Sequence, residues 1–232
     1  MDEIIGFARL KIEVPDFDDV LGFLDGNWQP HFNTRDYEGD WEVLSIRSPG
    51  GTDSIFPDLI GGHAEFADTP YMEQMLSVKK IVRSLQCPVN SVRLLNLKAG
   101  AVIKQHRDVE LAFERGHARL HFPVQTNDLV EFFVNDVRVM MLPGECWYIN
   151  ANLPHRVTNA GDTDRIHLVI DCEVNDWLKV IFEEAEKTTF KQKIDKKQTE
   201  QMIKALREMG NETSNHIADT LEIKLIEALN DD

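Results

Sequence analysis

His106-Arg107-Asp108 closes a strand-like run, and His155 lies 47 residues beyond Asp108, in Asn152-Leu153-Pro154-His155. On an extended strand, side chains two apart share a face, so His106 and Asp108 point to one side and Arg107 to the other. Two imidazoles and a carboxylate gathered in this way occupy one face of an octahedron. The open positions suit non-haem Fe(II), which needs them for a bidentate 2-oxo acid and for oxygen. An isolated His-x-Asp would be read as a surface histidine beside a turn residue. The second cluster changes that reading, because Pro143-Gly144-Glu145-Cys146-Trp147-Tyr148 precedes His155, and Arg165 follows ten residues after it.

The segment Arg165-Ile166-His167-Leu168-Val169-Ile170-Asp171 alternates strictly. That puts Arg165, His167, Val169 and Asp171 on one face and Ile166, Leu168 and Ile170 on the other. A guanidinium inside a barrel needs an anion, and its fork matches a carboxylate bidentately, so the distal carboxylate of 2-oxoglutarate is a natural partner. The alternative is a salt bridge from Arg165 to Asp162, Asp164 or another acid. Arg119-Leu120-His121 has the same geometry, with Arg119 and His121 opposite Leu120 and Phe122.

Short strands must position these side chains. From Ser91 to Asp171 the candidates are 91–97, 101–106, 118–124, 130–134, 137–142, 146–150 and 165–171, separated by Ala-Gly, Asn-Asp and Pro-Gly turns. Regular short strands of this kind indicate a β-sandwich or barrel. An earlier strand covers Glu42–Ser48, and a short amphipathic helix follows Pro15. Thr69-Pro70 reads as an N-cap and first-turn proline of a helix over 70–86, with Met72, Met75, Leu76, Val82 and Leu85 as its apolar stripe. Helical patterns return over 177–187, over 196–209 up to Gly210, and in the stripe Ile217, Leu221, Leu225, Leu229. The organisation expected is therefore a mostly β domain over residues 1–176, with flanking helices, and a helical extension over 177–232 packed on it.

The 232 residues carry 40 acids against 25 basic residues, a formal charge of −15. Nucleic-acid backbones and anionic membranes would repel such a surface. No apolar run reaches signal-peptide or membrane-span length, which gives a cytoplasmic expectation. Cys87, Cys146 and Cys172 are few and odd in number, without Cys-x-x-Cys spacing, and are read as buried small side chains in a reducing compartment.

The spacing His106-x-Asp108 … His155 … Arg165, with Pro143–Asp171 around it, resembles the aspartyl/asparaginyl β-hydroxylase family, most closely its soluble bacterial proline-hydroxylase-like members. The similarity covers roughly residues 27 to 173. It implies a double-stranded β-helix, the cupin-like jelly roll, with iron on His106, Asp108 and His155 and with Arg165 on the distal carboxylate of 2-oxoglutarate. Arg119 and His121 look like the family's Arg-x-His strand, which helps hold the oxo acid or the substrate; a structural role for His121 stays open. Two departures stand out. The membrane-anchored animal members lack a carboxylate at the position of Asp108, and their oxo-acid-binding serine aligns with Leu95. The carboxylate of Asp108 also argues against a halogenase.

Trp28–Arg35 and Arg47 resemble the part of the bacterial members where substrate contacts are expected, which nominates His31, Arg35 and Arg47. A zwitterionic amino acid needs a cation for its carboxylate, and Arg47 or Arg119 could supply it. The alternative makes these aromatics core and Arg47 a surface residue. His63, His117, His167 and His216 are left as structural or exposed. The expected activity is an Fe(II)- and 2-oxoglutarate-dependent dioxygenase that uses oxygen to hydroxylate an amino acid, free or within a peptide, with release of succinate and CO2. The rival is a cupin-like barrel that binds a metal without oxygenase activity, for which Arg165 has no required task. The C-terminal helices could also mediate a homodimer.

Overall fold

A computed structural model describes residues 3–23, 28–55, 65–108, 111–191 and 196–230, and His63 lies outside them. Its strands are β1 (Glu3–Leu10), β2 (Gln29–Pro30), β3 (Tyr37–Glu38), β4 (Trp41–Pro49), β5 (Phe66–Asp68), β6 (Val89–Leu97), β7 (Val102–His106), β8 (His117–Gln125), β9 (Val130–Val134), β10 (Val137–Val139), β11 (Cys146–Ile149), β12 (His155–Asn159), β13 (Arg165–Glu173) and β14 (Glu186–Lys191). The helices are α1 (Asp18–Leu21), α2 (Leu76–Ser84), α3 (Asp176–Glu183), α4 (Lys196–Met209) and α5 (Glu212–Asn230). One compact unit is Ile5–Thr188, and the other joins the first residues of the chain to the segment from Thr189 onward. Helix α3, expected beyond a boundary at 176/177, lies in the larger unit because Leu178 and Phe182 bury in its core.

The larger unit is a double-stranded β-helix. One sheet runs β1-β11-β8-β13-β6-β4-β2 with β5 on β4, and the facing sheet runs β10-β9-β12-β7-β3. All the registered pairs are antiparallel, including β8 and β6 on either side of β13. Alternation then sorts the side chains of the larger sheet into two sets. Leu44, Ile46, Val92, Leu94, Leu120, Phe122, Ile166, Leu168 and Ile170 join the main apolar core with Val78 and Ile81 of α2 and with Leu178 and Phe182 of α3. The opposite set includes Arg93, Arg119, His121, Arg165, His167 and Asp171, all buried although polar. This sheet therefore presents its polar chemistry to the barrel interior and its oil to the helices. The strict alternation of β13 is what fixes that division.

Local chemistry sets the element ends. Asn175 caps α3 by accepting from the Leu178 N–H at 3.0 Å. Asp19 of α1 accepts from the Ser77 N–H at 2.9 Å, satisfying a donor at the start of α2. Gly39, at φ +77°, sits where an added Cβ would lie 2.9 Å from Cβ of Ala101, so only glycine lets β3 close onto β7. In the smaller unit, Gly210 at φ +66° ends α4 as expected, and Arg207 pairs with Asp219 and Glu222 of α5.

Several sequence expectations need correction. The helix over 70–86 splits into a 3-10 turn, Pro70–Glu73, and α2, with Met75 at φ −111°, ψ 81° between them. The Thr69 hydroxyl does not cap that turn. It donates to the carbonyls of Ser45 and Ile46, and this pins the turn to β4 while Met72 and Met75 bury. The helix over 177–187 stops at Glu183, and the β-branched stretch after it forms β14. The strand over 137–142 ends at Val139, leaving Met140 and Leu142 exposed. Strands β1 and β12 were not anticipated. All three cysteines are free, and Cys87 is half-buried instead of buried. Among the described residues no helix is long and apolar enough to cross a membrane.

Candidate metal centre and active site

Strands β7 and β12 run side by side, and their register sets His106 opposite His155. The ladder is irregular between His155 and Val157, a bulge of the kind that re-aims side chains beside sites. Asp108 follows β7 on a loop whose placement is fixed by its own N–H, which donates to the Ala151 carbonyl at 2.8 Å. That bond ties the carboxylate to the turn leading into His155. As a result one ligand atom from each of His106, Asp108 and His155 lies within 4.8 Å of the others, and the imidazole centroids are 4.2 Å apart.

The backbone also selects the tautomers. The ring Nδ1 of His106 lies 2.8 Å from the Lys104 carbonyl, and that of His155 lies 3.0 Å from the Leu153 carbonyl. A carbonyl can only accept, so each Nδ1 carries the proton and each Nε2 lone pair is left for a metal. Burial first, and then the neighbouring His106, lower the pKa of His155 to about 4, which keeps it neutral and ligand-ready near pH 7. Burial would raise the pKa of Asp108, but the charge of Arg119 outweighs it, with Arg93 adding to the effect, so the carboxyl titrates below its usual range and stays ionised. The donor set, two neutral nitrogens and one carboxylate, suits a mononuclear centre with open positions.

Behind the triad lies a deep pocket walled by Leu95, Ile103, His121, Phe132, Ile149, Val157 and Arg165. Arg165 is 2% exposed, and its guanidinium lies 5.5 Å over the Phe132 ring. Its Nη2 donates to Nδ1 of His167 at 2.9 Å, and its Nε is buried without a partner. Among the described residues no carboxylate pairs with it; Asp164 instead bonds Asn96, Lys98 and the Ala99 N–H. Burial alone lowers the Arg165 pKa to about 9, so the cation persists at neutral pH as a desolvated charge. Nδ1 of His121 lies 3.4 Å from Nδ1 of His167. Burial and the Arg165 charge hold both imidazoles neutral.

In front of the triad opens a cavity of about 390 Å³ lined by His31, Phe32, Trp41, Phe66, Arg93, Leu95, His106, Asp108, His117 and Arg119, among others. Asp171 lies at its wall. Nε and Nη2 of Arg119 donate to its two oxygens at 2.7 and 3.0 Å. Ser91 and Arg93 also donate to Asp171, at 2.9 and 2.7 Å. The remaining Arg119 nitrogen donates to Oδ2 of Asp108, leaving Oδ1 toward His106. Arg119 thus orients a triad member. The two guanidiniums hold the Asp171 carboxyl far below the usual range in spite of its burial.

Of the residues nominated for substrate, His31 does line the front cavity, stacked on Trp41 at 3.5 Å between centroids. Arg35 is exposed on a turn and is not among the residues that line it. Arg47 is occupied by Asp68 at 2.7 Å and by the carbonyls of Phe66 and Val89, where it joins β4, β5 and the start of β6. Two residues at the site were passed over. His167, left as structural, holds Arg165. Arg93 is a lone arginine on the barrel face of β6 beside Ser91 and Leu95, and that position was its signal.

A double-stranded β-helix carrying two histidines and an aspartate around one point, with a buried arginine deeper in the barrel, defines a cupin-like protein with a candidate mononuclear metal centre. The sequence places it more closely. Residues 16–174 match the model of the aspartyl/asparaginyl β-hydroxylase family, and the chain belongs to that family. It is 29% identical over 138 residues to the L-proline cis-4-hydroxylase of Rhizobium meliloti (strain 1021), covering 58% of this chain and 48% of that protein. It is likewise 29% identical over 139 residues to L-proline cis-3-hydroxylase 1 of a Streptomyces species, covering 57% of this chain and 47% of that one. The chain thus spans about half the length of the curated relatives it matches. Among solved structures, a 2OG-Fe(II) oxygenase-family oxidoreductase from Burkholderia pseudomallei aligns with a TM-score of 0.46 at 14% identity, covering 66% of this chain and 78% of that one.

Proposed function

We propose that this protein is an Fe(II)- and 2-oxoglutarate-dependent dioxygenase that hydroxylates an amino acid. The observation that carries the reading is the pairing of a metal-ready triad with a buried arginine that has no anion. The cost of burying the Arg165 cation is large, the His167 bond and the Phe132 ring offset only part of it, and among the described residues no carboxylate answers it. A dicarboxylate that chelates at the triad and reaches back to Arg165 would offset it. A plain metal-binding barrel leaves that arginine without a task.

His106, Asp108 and His155 would hold iron, and iron with 2-oxoglutarate and oxygen supplies the oxidising power to hydroxylate an unactivated C–H bond, with succinate and CO2 released. The chain supplies placement. Lys104 and Leu153 hold the imidazole tautomers, and Arg119 turns Asp108. Arg165, held by His167, would grip the far end of the oxo acid. Trp41, Phe66 and Leu95 give the front cavity apolar walls that exclude water from the reacting carbon. The relatives' names make L-proline the first substrate to try. The test is a succinate-release screen over the free amino acids and short peptides, with mass detection of a product heavier by one oxygen atom. Coupled release on a free amino acid supports the reading; absence of succinate with every candidate refutes it.

A further inference from the structure

Two of the three thiols meet at the end of the main ladder. Cys172 stands opposite Val89 where β13 pairs with β6, just past the irregular register at Ile170. The two segments stay together beyond that point. The Glu173 N–H donates to the Pro88 carbonyl at 2.9 Å, and the Asn175 side chain donates to the Gln86 carbonyl at 2.7 Å. Cys87 therefore lies diagonally across from Cys172, which belongs to the main apolar core against which Cys87 packs. Cys172 is 1% exposed and Cys87 is half-buried, so one sulfur meets solvent and the other stands behind it. Hydrogen bonding from Cys172 lowers the pKa of Cys87 against the effect of burial, and the same contact raises that of Cys172 well above the ordinary thiol value. The thiolate is the form that reacts, so the accessible sulfur is also the readier one.

The pair adjoins the metal centre through the backbone. Asp171, the residue before Cys172, holds Arg119, and Arg119 bonds Asp108. The Cys172 thiol donates to the carbonyl of Ala118, the residue before Arg119, at 3.6 Å. We propose that Cys87 and Cys172 form a peroxide-sensitive dithiol switch, in which Cys87 is oxidised, Cys172 closes the disulfide, and the closed form holds metal less tightly. The Cys87 thiolate attacks one oxygen of hydrogen peroxide and the O–O bond breaks. The departing hydroxide takes up the proton that Cys87 released, leaving a sulfenic acid. The Cys172 sulfur then attacks the Cys87 sulfur, the S–O bond breaks, and the hydroxyl departs as water with the Cys172 proton. Two thiols lose two electrons, and the peroxide becomes two waters. Closing removes the proton that Cys172 gives to Ala118, beneath the Asp171–Arg119 pair that orients Asp108. The switch rests on the triad as a metal centre and is independent of the reaction catalysed there.

The test treats the metal-free full chain with a slight excess of hydrogen peroxide, quenches with catalase, alkylates, and maps the unreduced peptides by mass spectrometry. Mn(II) affinity is read by electron paramagnetic resonance before and after, on the wild type, Cys87→Ser and Cys172→Ser. The wild type yields a Cys87–Cys172 linked peptide with Cys146 still alkylated. Its Mn(II) affinity falls about 10-fold, the lower end of what disturbing a ligand's outer partner costs, and dithiothreitol restores it. Cys172→Ser stops at the Cys87 sulfenic acid, which dimedone labels, and Cys87→Ser changes neither linkage nor affinity. Three results overturn the switch: no Cys87–Cys172 linkage, a linkage that leaves Mn(II) affinity unchanged, or the same loss of affinity in peroxide-treated Cys87→Ser. A reduced wild type that binds no Mn(II) overturns the metal centre itself, and the switch with it, whatever the peptide map shows.

Discussion

Replacing Arg165 with methionine should stabilise the metal-free protein while abolishing its use of 2-oxoglutarate. Burial lowers the Arg165 pKa from 12.5 to about 9. At about 1.4 kcal/mol per unit, the cost of keeping the charge there is about 5 kcal/mol. The His167 bond and the Phe132 ring return part of this, each on the order of 1 kcal/mol. Methionine has a similar length and no charge, so a gain of about 1–3 kcal/mol is expected, in line with replacements of buried ions by apolar side chains. Losing a bidentate charged contact should weaken 2-oxoglutarate by about 100-fold or more. Urea unfolding of the metal-free protein reads the first effect, and titration of the anaerobic Fe(II) charge-transfer band with 2-oxoglutarate reads the second. A variant that is less stable by several kcal/mol, yet binds the oxo acid normally, would show that Arg165 serves the fold and would refute the reasoning.

The buried histidines give the metal-free protein an acid-sensitive stability. Burial and the charge of Arg93 lower the pKa of His31 to about 3, while the unfolded chain takes its proton near 6.5. The stability linked to this ring is complete above the unfolded value and is lost as pH falls toward the folded one, about 2 kcal/mol by pH 5. His31→Phe, which keeps the stack on Trp41, should reduce the drop in urea midpoint between pH 7.5 and 5; an unchanged drop counts against the neutral buried ring. Asp171→Asn leaves Arg93 and Arg119 without their shared carboxylate and should cost about 3–5 kcal/mol in urea unfolding; a loss below 1 kcal/mol contradicts the network. Gly39→Ala, forced against Ala101 at positive φ, should cost about 1–2 kcal/mol by the same measurement. Adding Fe(II) at 100 times its dissociation constant should raise wild-type stability by about 2.7 kcal/mol and leave the His155→Ala variant unmoved.

Residue periodicity made the site's wall legible before any coordinates. Seven residues of strict alternation from Arg165 to Asp171 placed the polar face of β13 correctly, and Arg119-Leu120-His121 did the same for β8. The convergence of His106, Asp108 and His155 was legible from residue type and spacing, because few other arrangements ask for His-x-Asp and a distant histidine. What failed was whatever depended on partners from elsewhere in the chain. Strand β12 begins after Pro154 and alternates His155, Val157 and Asn159 inward with Arg156 and Thr158, too short and polar to stand out without β7 and β9 beside it. Arg47 looked free because nothing local announces Asp68 as its partner. Arg93 was passed over because strand 91–97 is otherwise mostly apolar, and an arginine there reads as noise until Asp171 and the cavity are seen against it. The turn over Pro70–Glu73 follows the same rule, since Thr69 bonds β4 carbonyls that no helical pattern reveals.

The most direct test of the metal centre and its co-substrate is an anomalous difference map from crystals grown with Mn(II), as a redox-quiet stand-in for Fe(II), and 2-oxoglutarate. One peak is predicted, about 2.2 Å from Nε2 of His106, an oxygen of Asp108 and Nε2 of His155. The distal carboxylate of the oxo acid should lie within hydrogen-bond distance of Arg165. A metal bound elsewhere, or an oxo acid whose far carboxylate avoids Arg165, would contradict the account.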